Sequence, residues 1–554
     1  MRIRIILLTL VLALPALAQQ PRVPPRAVVN SASFTRPGLP NGKIARGSIF
    51  SIFGSRIGPD GPSPDLTFPL GKALAGVTVT VRQGDVSVDA IPLFVFAGQI
   101  NAIMPSDAPL GRVSIEVRNG VRRANPAPAE VVASSVGIFS ATGLGVGPAS
   151  IQNFISQTVQ PDNAPGTPAF RGQIVTAWGT GLGAVDFPDN EAPVPGGLDV
   201  EVEIWVGGAA VADEDVLYAG RSPCCSGVDQ IIFRVPDAAP LGCYVPLRLR
   251  TAGNVVSNTV SMAIAEEGAS ECSDPANPFG DRFRRPGTLG TILLTSLSVE
   301  RNVDVPEPAT TTLDAGFASF RDENPGAFAF NPVYSLPPPG TCAVYTGSGD
   351  LLGGASLPGS ATAGALLDAG AAVRVSGPRG AKSLAEAMLN PANYFAGLGS
   401  AMPGGVERLF LLPGDYTATS PGGSEVGGFN VSFAMRPPPT WSNRDEVGVV
   451  SRTDELELRW SGAEGTLIAL VGNYDIGEDA LAAALCTADA AAGSLTISPA
   501  VLSALPASSS KTFGSEGAVL LWTLPAAAAA FSADGLDAGF AAALSAAGKT
   551  VVFE

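Results

Sequence analysis

Histidine is absent from all 554 residues of the sequence. Without an imidazole, the chain cannot build a Ser-His-Asp triad, a histidine-bound metal site or a histidine proton shuttle. A G-x-S-x-G segment, which presents the serine nucleophile of many hydrolases, is absent as well. The sequence therefore indicates no catalytic residue and no cofactor, and we expect a protein that is not an enzyme.

Charged residues are scarce too, at 15% of the chain, and acidic residues outnumber basic ones by 50 to 34. A formal net charge of −16 repels phosphate backbones, so we expect no nucleic-acid partner. The turn formers are abundant instead, with 65 Gly and 48 Pro. This composition favours short strands and loops over long helices.

The start of the chain has the pattern of a secretory signal peptide. Residues 1–18 combine basic Arg2 and Arg4, an apolar stretch and the small-x-small cleavage signal Ala16-Leu17-Ala18. The apolar stretch is shorter than the roughly 20 residues that a membrane-spanning helix needs. We therefore expect an exported protein, either extracellular, at the cell surface or periplasmic, with no transmembrane segment in the mature chain.

The first half of the chain contains an internal duplication. GSIFSIFGSRIG (residues 47–58) matches GQIVTAWGTGLG (residues 172–183). APLG then occurs identically at residues 108–111 and 239–242. Two matches in the same order indicate two copies of one structural unit.

Each copy of the duplicated unit predicts β-strands. VTVTV (residues 77–81) and VSIEVR (residues 113–118) alternate apolar and polar residues, as do VEVEI (residues 200–204) and VPLRLR (residues 245–250). A period of two places one strand face on a core and the other in water. With Gly and Pro punctuating the runs, the pattern is typical of a β-sandwich.

Several of these segments resemble a secreted acidobacterial family, the Solibacter uncharacterised C-terminal domain. Besides the duplicated motifs, they are VVNSASF (residues 28–34), GIFSATGLG (residues 137–145), VLYAGRSP (residues 216–223) and SNTVSMAI (residues 257–264). The resemblance covers residues 27–266 and implies Ig-like, IPT/TIG-type sandwiches on an exported bacterial protein. It implies no activity and no catalytic residues. The family domain often ends a chain, whereas here residues 267–554 follow it.

We therefore predict a mainly β fold with tandem Ig-like/IPT-type β-sandwich domains and a few short helices in the C-terminal half. The expected order is repeat 1 (27–135), repeat 2 (136–266), a linker (267–290), a β-rich domain (291–437) and a C-terminal β-rich domain with short helices (438–554). The Ala-rich segments 479–489 and 536–547 predict helices, as does segment 383–398, which Pro391 interrupts.

Six cysteines in an exported chain favour disulfide bonds. Four are near one another in sequence and two are remote: Cys224, Cys225, Cys243 and Cys272, then Cys342 and Cys486. Because two adjacent cysteines close a strained ring, we expect the adjacent pair to bond with the other two nearby cysteines, in either arrangement. The remote cysteines are a third candidate pair, which would link two expected domains.

Two acidic clusters are weak candidates for calcium ligands. They are Asp213, Glu214 and Asp215, and Asp475, Glu478 and Asp479. Calcium takes six to eight oxygen ligands, often from such loops. Neither cluster has the EF-hand spacing, so we favour solvated loop charges and assign no metal site.

These observations favour an exported, non-enzymatic binding or adhesion protein of unknown ligand, acting at the cell surface or outside the cell. Polysaccharide and protein are the two candidate ligand classes. One alternative is a carbohydrate-active enzyme or accessory with carboxylate chemistry in residues 291–554. A filled interior in that part of the chain would weigh against this alternative. The other is a structural envelope or spacer protein without a small ligand.

Overall fold

The computed structural model describes residues 20–251, 255–280, 287–301, 303, 307–323, 330–332, 334–347, 364–387, 390–403, 408–475, 479–508 and 516–554. The expected signal peptide and Glu478 lie outside these residues. Strands make up most of the described secondary structure, so the prediction of a mainly β fold is confirmed. Within the described residues, no helix has both the length and the apolar character needed to cross a bilayer.

The first region, residues 20–132, forms two sheets that face each other. Its strands are β1 (Val28–Asn30), β2 (Ile44–Ala45), β3 (Ile49–Phe53), β4 (Ser63–Pro64), β5 (Val77–Gln83), β6 (Val86–Asp89), β7 (Ile91–Phe96), β8 (Gln99–Ile103), β9 (Gly111–Asn119), β10 (Arg122–Arg123) and β11 (Ala127–Val132). One sheet has the order β1-β3-β8-β7-β4 and the other β2-β11-β9-β5-β6. Apolar side chains from both sheets share one core, including Phe50 and Ile100 on one side and Val79 and Ile115 on the other.

The second region, residues 137–264, repeats this arrangement. Its strands are β12 (Gly137–Ile138), β13 (Ile151–Asn153), β14 (Ile174–Thr180), β15 (Gly196–Gly197), β16 (Val202–Val206), β17 (Ala209–Ala210), β18 (Val216–Arg221), β19 (Asp229–Arg234), β20 (Gly242–Thr251), β21 (Val255–Val256) and β22 (Val260–Ile264). The sheets have the orders β12-β14-β19-β18-β15 and β17-β16-β20-β21, with β22 also paired to β20.

The duplicated motifs occupy equivalent strands in the two regions. The first motif forms β3 in one region and β14 in the other, and these strands pair with β8 and β19, respectively. β9 and β20, which follow APLG, each pair with the preceding alternating strand, β5 and β16. The equal order of the first sheet in each region and these matching pairings agree with the duplication read from the sequence.

The third region, residues 287–554, is built around one large sheet. Its elements are β23 (Gly287–Arg301), β24 (Ala309–Glu323), β25 (Cys342–Gly347), β26 (Ala372–Gly377), β27 (Gly380–Ala387), β28 (Asn390–Ala401), β29 (Gly414–Gly422), β30 (Gly427–Met435), β31 (Thr440–Trp441), β32 (Val449–Val450), β33 (Leu456–Ser461), β34 (Thr466–Asp475), β35 (Ala480–Asp489), β36 (Ser494–Ile497), α1 (Pro499–Leu502), β37 (Gly517–Leu524), β38 (Ala529–Phe531) and β39 (Ala538–Phe553).

Part of this sheet closes into a barrel of eight strands, which the sequence did not predict. The order β23-β24-β28-β27-β26-β29-β30-β39 returns to its start because β39 also runs parallel to β23. Bulky side chains fill the interior, among them Phe320, Tyr394, Leu398 and Tyr416. The barrel is therefore a packed core and not an open channel.

Beyond the barrel, the sheet continues from β39 through β37, β34 and β35 to β25. A small sheet of β31, β33 and β36 and the helix α1 face this extension across a second core, which includes Trp441, Trp460 and Leu502. The sheet thus crosses the expected boundary between residues 437 and 438, since β30 and β39 pair through Met435 and Ala543. Strand β23 begins at Gly287, inside the expected linker.

The three helices predicted in this half are wrong. Segment 479–489 forms β35, segment 536–547 lies mostly in β39, and segment 383–398 forms parts of β27 and β28. Alanine favours helices when a segment is judged alone. Here β35 is paired on both edges, to β34 and β25, and its Ala482 and Ala484 are fully buried. Tertiary pairing and burial outweigh the local preference.

Candidate functional site

A cleft of about 920 Å³ lies where the three regions meet. Its volume is within the range of small-ligand pockets. The first region and the residues just after it contribute Pro40, Lys43, Arg46 and residues 132–134. The second region contributes residues 182–184, 198–201 and Val255. Arg452, Thr453, Ser503 and Glu554 of the third region complete the wall. No single region holds the cleft, so it depends on the way the three are joined.

Short strands at the sheet margins position the first wall. Lys43 and Arg46 flank β2, which runs parallel to β11, and the Arg46 amide donates to the Val132 carbonyl at 3.0 Å. The Arg46 Nε donates to the Ala108 carbonyl at 2.5 Å, while the Lys43 ammonium pairs with Glu130 at 2.8 Å. Both cations are half-buried and lie along one side of the cleft.

A buried ion pair holds the second wall. Arg221 Nη1 donates to Asp229 Oδ1 at 2.7 Å, and its Nη2 donates to the Gly183 carbonyl at 2.8 Å. The other Asp229 oxygen accepts from the Leu182 amide at 2.8 Å. Burial raises the pKa of Asp229 to about 6, although the facing Arg221 acts in the opposite direction. The pair orients the backbone at Leu182 and Gly183, both of which line the cleft.

The first two regions meet tightly beside this ion pair. Gly47 has φ of 68°, and a Cβ there would come within 2.7 Å of the Gly183 carbonyl oxygen. The Ser106 amide donates to one Asp189 oxygen at 2.7 Å, and the Ser106 hydroxyl bonds to the other at 2.8 Å. Burial raises the pKa of Asp189, and these bonds oppose that shift. The contacts fix how the two repeated units are oriented.

The third wall carries an incompletely satisfied cation. Arg452 is half-buried, and one of its Nη atoms donates to the Ser503 carbonyl at 3.3 Å. Its Nε and the Ser503 hydroxyl are both buried without a hydrogen-bond partner. Burial lowers the pKa of Arg452. Among the described residues, no acidic side chain forms an ion pair with it, and its backbone amide donates to the backbone oxygen of Glu554 at 2.8 Å.

Arg248 attaches the third region to the second. Alternation along VPLRLR placed this side chain in water, and that prediction is wrong, because Arg248 is 5% exposed. Its guanidinium donates to the Cys342 carbonyl at 2.6 Å and to the Ala500 carbonyl at 3.1 Å. Burial lowers its pKa to about 10. The third region covers the outer face of β20, which the sequence of β20 cannot indicate.

The described members of the two acidic clusters are not assembled as a calcium site; Glu478 lies outside the described residues. Asp215 accepts from Arg234 Nε at 3.0 Å, and Asp479 pairs with Arg36 at 3.1 Å. Asp213 and Glu214 are exposed on a short 3-10 turn. Across the part of the chain that the structure describes, no three Cys, Asp or Glu side chains are placed to hold a metal ion.

All six cysteines form disulfides, but the predicted pairing of the four nearby ones is wrong. Cys224 bonds with Cys225, and Cys243 bonds with Cys272. Cys342 and Cys486, the third candidate pair, are bonded across adjacent strands β25 and β35.

The hairpin of β18 and β19 explains the error. Its turn holds the adjacent cysteines at one end of β19, whereas Cys243 follows the opposite end of that strand. Six residues of strand separate the two ends by about 20 Å. Cys243 lies instead beside Cys272, with Cα atoms 5.3 Å apart, within the roughly 7 Å that a disulfide needs.

Among the described residues of the third region (287–554), the one buried acidic side chain is that of Asp314, inside the barrel. One of its oxygens accepts from the Phe410 and Leu411 amides at 2.8 and 2.6 Å. The interior shows no facing pair of carboxylates in the described residues. Carboxylate-pair catalysis, the alternative read from the sequence, therefore finds no support in this barrel.

No protein-family model and no curated protein matches the chain. Among solved structures it is similar to domains 5–6 of the S-layer protein SbsC, at 14% identity over 45% of this chain and 99% of that one, with a TM-score of 0.16. It is also similar to SGBP-B from the mixed-linkage glucan utilization locus of Bacteroides ovatus, at 11% identity over 82% and 83% of the chains, with a TM-score of 0.13. A third likeness is to Sidekick-1 immunoglobulin domains 1–4, at 10% identity over 93% and 100%, with a TM-score of 0.12. TM-scores this low support no conclusion about fold or function.

Sequence reasoning identified none of the cations that line the cleft. Lys43 and Arg46 lie in one short segment, whereas Arg452 is far along the chain from both, and none belongs to a recognisable motif. The one usable signal is local: Arg46 and Lys43 immediately precede the duplicated GSIFSIFG segment.

Proposed function

We propose that this protein is an exported, non-enzymatic binding protein that takes its ligand in the cleft at the junction of its three regions. The first half is, in this proposal, a pair of Ig-like/IPT-type sandwiches of the acidobacterial type that the sequence resembles. Residues 1–18 direct export, and the three disulfides suit an oxidising compartment outside the cytoplasm. Fold alone does not define function, so the proposal depends on the site.

The observation that carries the proposal is the cleft itself, a cavity of about 920 Å³ lined by residues of all three regions. Its volume suits a small ligand, and basic and acidic side chains stand together in its wall, among them Arg46, Arg452 and Glu201. The absence of histidine leaves recognition, and not imidazole chemistry, as the role that this site suits.

A cleft-filling variant tests this proposal. Ala184 is exposed and lines the cleft, so Ala184→Trp would occupy the cavity while leaving the cores intact. Ala212→Trp is the matched control, since Ala212 is equally exposed and does not line the cleft. The mature protein, residues 19–554, would be applied to glycan, cell-wall polysaccharide and peptide arrays, with calcium and with chelator.

We expect a ligand class that binds the parent protein and the Ala212→Trp variant but not Ala184→Trp. Binding that survives in Ala184→Trp would move the site elsewhere. No binding on any array would favour the structural envelope or spacer alternative. That alternative draws support from the links that join the three regions, such as Arg248 and the Ser106–Asp189 contact.

A further inference from the structure

Charge is divided unevenly along the chain. Residues 20–132, the first region, contain 12 basic and 7 acidic residues, whereas residues 133–554 contain 20 basic and 43 acidic residues. The first region is therefore a positively charged part of a strongly negative molecule. Opposite charges on separate parts of one chain attract one copy to another, and salt weakens that attraction.

Exposed arginines gather at one end of the first region. Strand β9 ends at Asn119, and the hairpin that follows places Arg123 directly opposite Arg118 and Arg122 opposite Asn119. The Asn119 side chain donates to the Arg56 carbonyl at 3.2 Å, which brings a fourth arginine to this end. All four arginines are exposed, and we call the group the arginine end. Among the described residues, no acidic side chain forms an ion pair with Arg118, Arg122 or Arg123.

The duplication provides an internal comparison for Arg118. The matching motifs VSIEVR and VPLRLR place Arg118 and Arg250 at equivalent strand positions. Arg250 lies opposite Glu203, which pairs with it. Arg118 lies opposite Thr78 instead, and Arg123 is its neighbour on the other side. Like charges directly opposite each other destabilise a strand pair, so this arrangement suits an anionic partner from outside the region.

The nearby acidic side chains do not neutralise the arginine end. Glu116, on the same sheet face, pairs with Arg82 at 3.0 Å. Asp89 bonds to a neighbouring threonine hydroxyl at 3.0 Å. Asp60 follows Arg56 by four residues and balances at most one of the four positive charges. The arginine end therefore has a net positive charge.

The arginine end is the free end of the first region. Strand β9 has nine residues, so about 27 Å separates Gly111 at its start from Asn119. Gly111 follows Ser106, whose amide and hydroxyl bond to Asp189 of the second region. The contact with the second region is thus at the opposite end of β9, and it leaves the arginines uncovered.

Carboxylates occupy the free end of the second region. Strand β22 ends at Ile264 beside the start of β20, and β20 runs from there to Val255 of the cleft. Glu266 and Glu267 follow β22 and are exposed, as is Asp237 just before the second APLG segment. Glu266 has an arginine at 3.8 Å, and within the described part of the chain neither Glu267 nor Asp237 forms an ion pair. We call these three carboxylates the acidic end.

We infer that copies of this protein associate head to tail, with the arginine end of one copy docked on the acidic end of the next. The two units already meet by unlike ends within one molecule, since the APLG end of the first unit contacts the end of the second that lacks APLG. The proposed contact has the same polarity between molecules. Because its two surfaces differ, it can continue from copy to copy. The inference does not rest on the cleft or on its ligand.

Sedimentation velocity of the mature protein, residues 19–554, tests the inference. At about 20 mM salt we expect the sedimentation coefficient to rise with protein concentration, and at about 500 mM salt we expect the monomer value throughout. Arg118→Glu should weaken association by about tenfold or more, because it places like charges in the contact. Arg374→Glu, at an exposed arginine on β26, makes the same change in net charge and should associate like the parent.

Thr78→Glu tests the charge of Arg118 without removing an arginine. It gives Arg118 the partner that Glu203 gives Arg250, so we expect a melting temperature that is unchanged or higher. Association should nonetheless weaken severalfold. Thr417→Glu, at another half-buried threonine on a strand of the third region, is the matched control and should associate like the parent.

A mixture of two variants tests the direction of the contact. Arg118→Glu keeps the acidic end, and the double variant Asp237→Asn/Glu267→Gln keeps the arginine end. Each alone should be mostly monomeric at concentrations where the parent associates. An equimolar mixture should form one-to-one dimers that do not grow further, because each dimer has only altered ends left. Circular dichroism and melting temperature would show that each variant is folded.

The other outcomes overturn the inference in separable ways. A parent protein that stays monomeric at low salt rules out association between copies. If that monomer binds labelled polygalacturonate or phosphatidylglycerol vesicles, and Arg118→Glu abolishes the binding, the arginine end serves a different anionic partner. Equal association of the parent and Arg118→Glu, or growth of either variant alone, would place the contact on other surfaces. None of these results alters the test of the cleft by Ala184→Trp.

Discussion

Two arginines on one strand show how strongly the surroundings decide a residue's role. Arg248 and Arg250 lie two positions apart on β20, so they point to the same face. Arg250 is half-exposed, pairs with Glu203 and stands 5.0 Å above the Trp205 ring. Arg248 is buried under the third region and bonds to two backbone carbonyls.

Replacing each arginine by alanine should have different consequences. Arg248→Ala leaves two carbonyls without their charged donor, and we expect it to lower the free energy of unfolding by about 3 kcal/mol. Arg250→Ala removes a half-exposed pair and should lower it by about 1 kcal/mol or less. Urea denaturation followed by tryptophan fluorescence measures both, and similar losses would contradict the buried position of Arg248.

The disulfide pairing can be read from a tryptic digest of the non-reduced protein. Cleavage after Arg221 and Arg234 places Cys224 and Cys225 on one peptide. We expect that peptide not to be cross-linked to any other and to have the mass of an internal disulfide, because Cys224 and Cys225 are bonded to each other. A peptide containing Cys243 should be joined to one containing Cys272. Any cross-link from the adjacent cysteines to these two would restore the arrangement expected from the sequence.

At the scale of elements, the strands of the third region depend on partners more than on their own composition. β35 is rich in alanine, yet it pairs with β34 along ten residues and with β25 along six. β25 is the end of its sheet order and is held by β35 and by the Cys342–Cys486 bond. Its place in the sheet therefore depends on one neighbouring strand and one covalent link.

Removing the Cys342–Cys486 bond should be costly, and removing the Cys224–Cys225 bond should not. The first closes a loop with a sequence separation of 144, for which restriction of the unfolded chain contributes up to about 5 kcal/mol. The second joins neighbours and restricts almost nothing. We expect the double alanine variant at positions 342 and 486 to lose about 2–5 kcal/mol, and that at 224 and 225 to lose less than about 1 kcal/mol. Thermal unfolding without reductant compares them, and equal losses would refute the loop-size account.

For the whole molecule, β39 decides how the third region is organised. The strand closes the barrel against β23 and β30 and also starts the outer extension by pairing with β37. Its residues enter both cores, Ala541 and Ala543 in the barrel and Val551 and Phe553 in the outer core. The two halves of this region therefore share one strand.

A truncation at the boundary expected from the sequence tests this sharing. Residues 287–437 lack β39, so the barrel would stay open with two unpaired edges and exposed apolar surface. We expect that fragment to be insoluble or unfolded, whereas residues 287–554 should fold. Solubility and near-ultraviolet circular dichroism measure the difference. A folded, monomeric 287–437 fragment would show that residues 438–554 form a separate domain.

Much of the first half follows from sequence alone. Alternating apolar residues bury one face of a strand, and that rule is local, so strands of the first repeat were readable from VTVTV and VSIEVR, and the two APLG segments indicated a second copy of the unit. The mainly β composition followed from the same pattern and from abundant Gly and Pro.

Tertiary structure alone decided the rest. Alanine-rich β35 and β39 are strands because neighbouring strands pair with them, and Arg248 is buried because another region covers it. The cysteines pair according to which strand end they occupy, and the cleft joins Lys43, Leu198 and Arg452 from three regions. Each of these depends on contacts between segments far apart in the chain, which no local pattern of residues encodes.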